Sequence, residues 1–187
     1  MRQVGRGTNE RGSILIVTGP AASGKTSVAR VLAERSSEPS VHLQGDDFFR
    51  ALKTGRRRGW EPGAEPQHEV VFEAIARAAT VYARGGYFVV VDSLIRPPYL
   101  HILTDVIASD DIELHYVALR PQLTAVQSRS GQRDESSRHD ENVLDFLYRA
   151  FSDLGELESH VLDNSALDVE STVAEIGARL TNGTLAL

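Results

Sequence analysis

The chain has 187 residues, a net charge of −6, 41% hydrophobic residues and no cysteine. That length suggests one domain with a real core, and the charge argues against whole-protein attraction to nucleic acid or an anionic membrane. Disulfides, thiolate zinc sites and cysteine nucleophiles are excluded, and no apolar run approaches the roughly 20 residues that span a bilayer.

Residues 1–12 are polar and rich in Gly and Arg, and read as a flexible leader before a single domain over 13–187. They lack the hydrophobic segment of a signal peptide, which fits a cytoplasmic protein. Ile14–Thr18 is a continuous apolar, β-branched run, the pattern of a buried parallel strand. After Lys25 the spacing turns helical, with Val28, Val31 and Leu32 on one face. Val41–Leu43 predicts a short strand, followed by "QGDDFF". Lys53–Gly63 reads as a loop. Pro66 opens a helix that Gly85 and Gly86 stop. Tyr87–Val91 predicts a strand ending at Asp92, Pro97–Ser109 a helix, Glu113–Leu119 a strand ending at Arg120, and Leu123–Arg129 a short helix. Ser128–Asn142, "SRSGQRDESSRHDEN", holds no aliphatic or aromatic residue and predicts an exposed, mobile segment. Val143–Leu157 predicts a helix, His160–Leu162 a last strand, and Val169, Val173, Ile176 and Leu180 a final helix with Gly183 just past it. Strands alternating with helices imply an α/β fold, a parallel sheet covered on both faces with ligands at the carboxyl ends of its strands.

"GPAASGKTS", Gly19, Pro20, Ala21, Ala22, Ser23, Gly24, Lys25, Thr26 and Ser27, satisfies G-x-x-x-x-G-K-[ST] between a strand and a helix. The glycines let backbone N–H groups turn onto phosphate oxygens. Lys25 reaches the outer phosphates, and the Thr26 hydroxyl suits Mg²⁺. The helix adds its positive dipole end. The loop alone does not say what the phosphate is for. A GTPase switch needs N-K-x-D and D-x-x-G, and neither occurs. A motor or AAA-type ATPase carries a Glu after the second-motif Asp, where this chain has Ser93 after Asp92. A small kinase remains, and it needs a base, a metal-organising carboxylate and a cationic lid.

Asp46, just past the second strand, is the candidate base, with Asp47 as a helix cap or as the alternative base. Asp92 ends the strand "YFVVVD" and is the candidate partner of Thr26 at the metal. Arg129, Arg133 and Arg138 punctuate a lid at about 128–142, with Arg133 and Arg129 the better candidates for the transferring phosphoryl. Arg120 is a candidate for stacking on adenine. Arg56–Arg58 read either as an acceptor contact or as a solvated loop. Trp60 shapes a pocket or anchors that loop, and His68 falls near the acceptor region.

At "GPAASGKT", "LQGDDFF", "YFVVVDSLIRP" and "RSGQRDESSR", over roughly Ile14 to Leu180, the chain resembles P-loop small-molecule kinases grouped with chloramphenicol phosphotransferase, shikimate and gluconate kinases and zeta-type toxins. It is also similar to uncharacterised bacterial ATP-binding kinase-like proteins. The resemblance implies a three-layer P-loop NTPase fold with a five-stranded parallel sheet of order 2-3-1-4-5, Mg-ATP as donor and Asp46 as base. Shikimate kinases carry a further Asp where this chain has Gln44, which argues against that substrate. The expected activity is transfer of the γ-phosphate of ATP to a hydroxyl of a small molecule such as an antibiotic or sugar, with no nucleic acid or membrane partner. A nucleotide-sugar kinase and a non-catalytic ATP-binding module are the alternatives, and no residue fixes an oligomeric state.

Overall fold

The computed structural model describes residues 11–59, 61–108, 110–132 and 140–187. Five parallel strands, β1 (Ile14–Thr18), β2 (Ser40–Gln44), β3 (Phe88–Asp92), β4 (Leu114–Leu119) and β5 (Val161–Leu162), lie in the order β2-β3-β1-β4-β5. This is the doubly covered sheet that the alternation of strands and helices predicts. β1 sits at its centre, with Ile14 facing Val89 on one side and Leu114 on the other. Every residue of β1 is buried, because both faces of a parallel sheet are covered by helices.

Successive strand residues point to opposite faces. Ile14, Ile16, Val89, Val91 and Tyr116 meet α3 (Glu65–Arg84) and α4 (Pro97–Ile107) through Phe72, Ile75 and Leu103. Leu15, Val17, Val90 and Val117 meet α1 (Lys25–Glu34) and α7 (Val169–Thr181) through Val28, Leu32 and Ile176. A third cluster joins Ala21 and Ala22 of the phosphate loop to Val126 of α5 (Leu123–Gly131) and to Leu144 and Leu147 of α6 (Glu141–Arg149). The helices that flank the expected lid therefore rest directly on the phosphate loop. Among the described residues no helix is long and apolar enough to cross a membrane.

Three details differ from the sequence expectation, and a fourth had no counterpart in it. Arg11 and Gly12, assigned to the leader, are tied to the domain: Arg11 pairs with Asp110 at 3.2 Å, and the Gly12 N–H donates to Ala83 O at 2.8 Å. The rest of the leader lies outside the described residues. The segment expected to be exposed from Ser128 is helical as far as Gly131, with Ser130 buried, because α5 continues one turn beyond its last apolar residue. The helix expected over Val143–Leu157 ends at Arg149, and a 3₁₀ turn follows over Gly155–His160. Gly155, at φ +60°, allows that break. Finally, the C-terminal residues lie along the β4 edge that the short β5 leaves open: Tyr116 N donates to Leu185 O and Leu187 N to Leu114 O.

Candidate active site

The loop after β1 turns through three left-handed backbone positions: Gly19 (φ 137°), Ala22 (φ 61°) and Gly24 (φ 96°). Gly19 has a second reason to be glycine, since a Cβ there would lie 2.1 Å from Leu119 O. Gly24 is the N-cap of α1 and supplies no side chain to it, and the first turn holds no acidic residue. The first N–H groups of a helix have no partners within the helix. Gly24 offers them no side-chain cap, and the dipole favours an anion at that end. Lys25 Nζ donates to Pro20 O at 2.9 Å, across the loop.

The loop is braced from behind by residues far away in sequence. Asn164 Nδ2 donates to Ser23 O at 3.0 Å; Arg129 donates to Ser23 O at 3.3 Å and to Asn164 O at 2.8 Å. Arg129 thus reaches the phosphate loop, but at its backbone carbonyl. Asn164 is a residue that sequence reasoning missed, because a lone Asn in a loop carries no local signal.

Asp92 ends β3 with its side chain 6% exposed, and His42 Nε2 lies 3.7 Å from its Oδ2. The register aligns Asp92 with Val17 and Gln44, which brings it to the carboxyl edge of the sheet beside the loop. The turn after Asp92 is pinned: Thr18 Oγ1 donates to Ile95 O at 3.1 Å, Ile95 N donates back to Thr18 Oγ1 at 3.0 Å, and Tyr116 Oη donates to Ile95 O at 3.1 Å. Burial pushes the Tyr116 hydroxyl well above its ordinary range, so it stays a donor.

Asp46 and Asp47 stand in the first turn of α2 (Gly45–Ala51), whose N-cap is Gln44. Neither makes the side-chain cap anticipated for Asp47. Arg50 holds Asp47 at 2.6 Å and Asp46 at 3.6 Å. Asp46 lines the central cleft with Lys25, Thr26 and Asp92; Asp47 does not.

That cleft has a volume of about 1050 Å³. Beyond Asp46 it is walled by Phe49, His68, Phe72 and Tyr99 and by Arg56, Arg57, Arg58 and Arg96. The rings meet edge to face, His68 with Phe49 at 5.1 Å and with Phe72 at 5.9 Å. Burial, helped by the nearby Arg96 charge, lowers the His68 pKa. Arg56–Arg58 thus line the cleft, and all three are exposed to solvent at its mouth. Phe72 was not legible as part of this wall, because on α3 a ring at helical spacing looks like any core position.

Arg120 does not line the cleft. Its guanidinium forms a fork with Glu158, at 2.8 Å to each oxygen, and donates to Phe151 O and Ser152 O. Arg133, Arg138 and Trp60 lie outside the described residues.

In overall shape the chain is similar to a sugar kinase from a Janibacter species, with a TM-score of 0.69, 16% identity and 91% of this chain matched to 95% of that one. It is similar to the adenosine phosphosulfate (APS) kinase of Mycobacterium tuberculosis, solved with AMPPNP and APS, at a TM-score of 0.69, 18% identity, and 91% of this chain on 98% of that one. A Sinorhizobium meliloti gluconokinase matches with a TM-score of 0.66 and 20% identity, over 95% of each chain. At these identities the likeness is one of fold. No curated protein matches the chain in sequence. The model of the chloramphenicol phosphotransferase-like proteins matches residues 12–170. The chain therefore belongs to the chloramphenicol phosphotransferase-like family, whose P-loop kinase fold supports a phosphotransferase.

Proposed function

We propose that the protein transfers the γ-phosphoryl group of ATP to a hydroxyl of a small molecule. The observation that carries this reading is the meeting of Lys25, Thr26, Asp46 and Asp92 in one cleft, at the uncapped N-terminus of α1. The loop amides from Gly19 to Ser27 cradle the phosphates, and Lys25 moves from Pro20 O onto the outer ones. Asp46 accepts the acceptor's hydroxyl proton as that oxygen bonds to the γ-phosphorus. The bond to the β–γ bridging oxygen breaks, and ADP leaves with that electron pair. Asp46 suits this role better than Asp47, which is held by Arg50 at 2.6 Å and does not line the cleft.

Thr26 and Asp92 fit a magnesium ion: one carboxylate and one hydroxyl, both hard oxygen donors, on the cleft that would receive the phosphates. Among the described residues no cluster of three or more His, Asp or Glu would cage a metal unaided, and Mg²⁺ bound with phosphates does not need one. Bound there, the ion would neutralise charge on the phosphate oxygens. Arg133 is proposed, on sequence alone, to close over the γ-phosphoryl, and Arg129 to hold the loop for it. The adenine contact expected of Arg120 is not part of this proposal, because its guanidinium is engaged elsewhere.

The test is ADP release over a panel of hydroxyl-bearing metabolites and antibiotics, with variants. Asp46→Asn should keep ATP binding and lose on the order of 10²–10⁴-fold in acceptor-dependent turnover. Lys25→Ala should raise the barrier by about 3–4 kcal/mol. Undiminished turnover in Asp46→Asn, or a larger loss in Asp47→Asn, would remove Asp46 as the base.

A further inference from the structure

We propose that the acceptor is an anion: a compact hydroxyl compound that also carries a carboxylate, sulfate or phosphate group, held by Arg56, Arg57 and Arg96 while its hydroxyl points to Asp46. This rests on the phosphotransferase reading and narrows its substrate class.

Three arginines of the cleft, Arg56, Arg57 and Arg96, are unlike those elsewhere and unlike Arg50, which pairs with Asp47 and Asp46. Arg30, Arg77, Arg149 and Arg179 each pair with a carboxylate four residues away. Among the described residues Arg56, Arg57 and Arg96 form no ion pair, although the protein as a whole carries a charge of −6. The one carboxylate in their loop, Glu61, accepts from the Arg58 N–H at 3.0 Å and so serves the turn.

The loop is also preorganised. Gln67 on α3 accepts from the Arg57 N–H at 2.7 Å and donates to Gly55 O at 2.9 Å. Arg96 lies over the Tyr99 ring, 5.4 Å from its centroid. The Arg57 guanidinium, held on Pro62 O at 3.2 Å, and that of Arg96, held over Tyr99, have no carboxylate partner among the described residues and match the planar two-oxygen geometry of a carboxylate, sulfate or phosphate.

Topology assigns these groups to the acceptor. They stand on the β2 side of the sheet and on the turn after β3, whereas the phosphate loop follows the central β1. Asp46 and Asp92 repel an anion at the transfer point. The acceptor's charged group therefore sits at the arginine end, and its apolar part lies against Phe49 and His68. Burial and the Arg96 charge lower the His68 pKa, which keeps that wall neutral near pH 7.

The test uses matched pairs: hydroxy acids against their amides, and sugar phosphates and sugar sulfates against the unmodified sugars. Binding is read by melting temperature and turnover by ADP release. The charged member should act at concentrations about tenfold to a hundredfold lower, the range of one charge-assisted hydrogen bond. The three arms tell which anion is preferred. Arg57→Gln and Arg96→Gln should weaken the charged member more than the neutral one and so abolish the preference, while an unchanged melting response to a non-hydrolysable ATP analogue shows that the variants are folded. Neutral members equal to their acids, no shift with any acid, or variants that weaken both members alike would overturn the proposal. Acids that bind with the arginine dependence but release no ADP would sustain it and sink the phosphotransferase reading instead.

Discussion

A Cβ on Gly45 would lie 2.2 Å from Ser93 Oγ and 2.6 Å from Ser93 Cβ, with Asp92 O at 3.2 Å. The turn from β2 into α2 thus passes against the turn after β3, and the candidate base and the candidate metal ligand are positioned by one close approach. Gly45→Ala should cost about 1–3 kcal/mol, the range for overpacking a well-filled site. It should also lower turnover by displacing Asp92. Ser93→Gly in the same chain removes the nearest atoms and should restore part of both losses, a coupling that a double-mutant cycle of melting and turnover measures. Additive effects of the two changes would show that the contact does not join the two turns. Gly19→Ala has no such remedy, because the clash at 2.1 Å is with the backbone oxygen of Leu119.

At the scale of elements, what the sequence revealed was local. The strand–loop–helix of the phosphate site is written in one stretch of apolar residues, glycines and helical spacing, and Ile14–Thr18 and the start of α1 fall where that pattern puts them. The breaks that depend on distant partners were not legible. The end of α6 is the clearest case. Apolar spacing runs on from Val143 to Leu157, yet Arg120 at the end of β4 takes the carbonyls of Phe151 and Ser152 and forks Glu158, which stabilises a turn there instead of a longer helix. The same partners were invisible when Arg120 was read as a nucleotide contact. Arg120 and the Leu154 N–H hold the Glu158 carboxyl down at about 2. A carboxylate depressed in the folded state stabilises above its unfolded pKa and loses that contribution as pH falls through the folded value. Glu158 is 43% exposed, so the effect is modest. Glu158→Gln should lower the melting temperature near neutral pH, and the gap from wild type should shrink as pH falls from about 4.5 toward 2. A gap independent of pH would mean that charge is not what fixes this turn.

For the whole molecule, the candidate site is an assembly from both ends of the chain. Ser23 O receives hydrogen bonds from Arg129 and Asn164, more than one hundred residues away. Ala21 and Ala22 pack on α5 and α6, and α1 packs on α7 through Val28 and Ile176. The phosphate loop is therefore packed into the rest of the fold, and the binding energy of a ligand on it should appear as global stability. At a concentration one hundred times its dissociation constant, a non-hydrolysable ATP analogue adds about 2.7 kcal/mol. For a domain of this size each kcal/mol raises the melting temperature by about 2–4 °C, so the transition should move by roughly 5–11 °C. Lys25→Ala should need a much higher analogue concentration for the same shift. Asn164→Ala should lower the starting melting temperature and weaken the analogue as well, because it loosens the carbonyl on which the loop rests while leaving Lys25 and Thr26 in place. Calorimetry with and without the analogue separates the two variants: the first changes mainly the response to ligand, since it gives up only the Lys25 Nζ bond to Pro20 O on the free loop, and the second changes both. An Asn164→Ala protein with wild-type melting and wild-type response would show that the loop holds its shape without that brace.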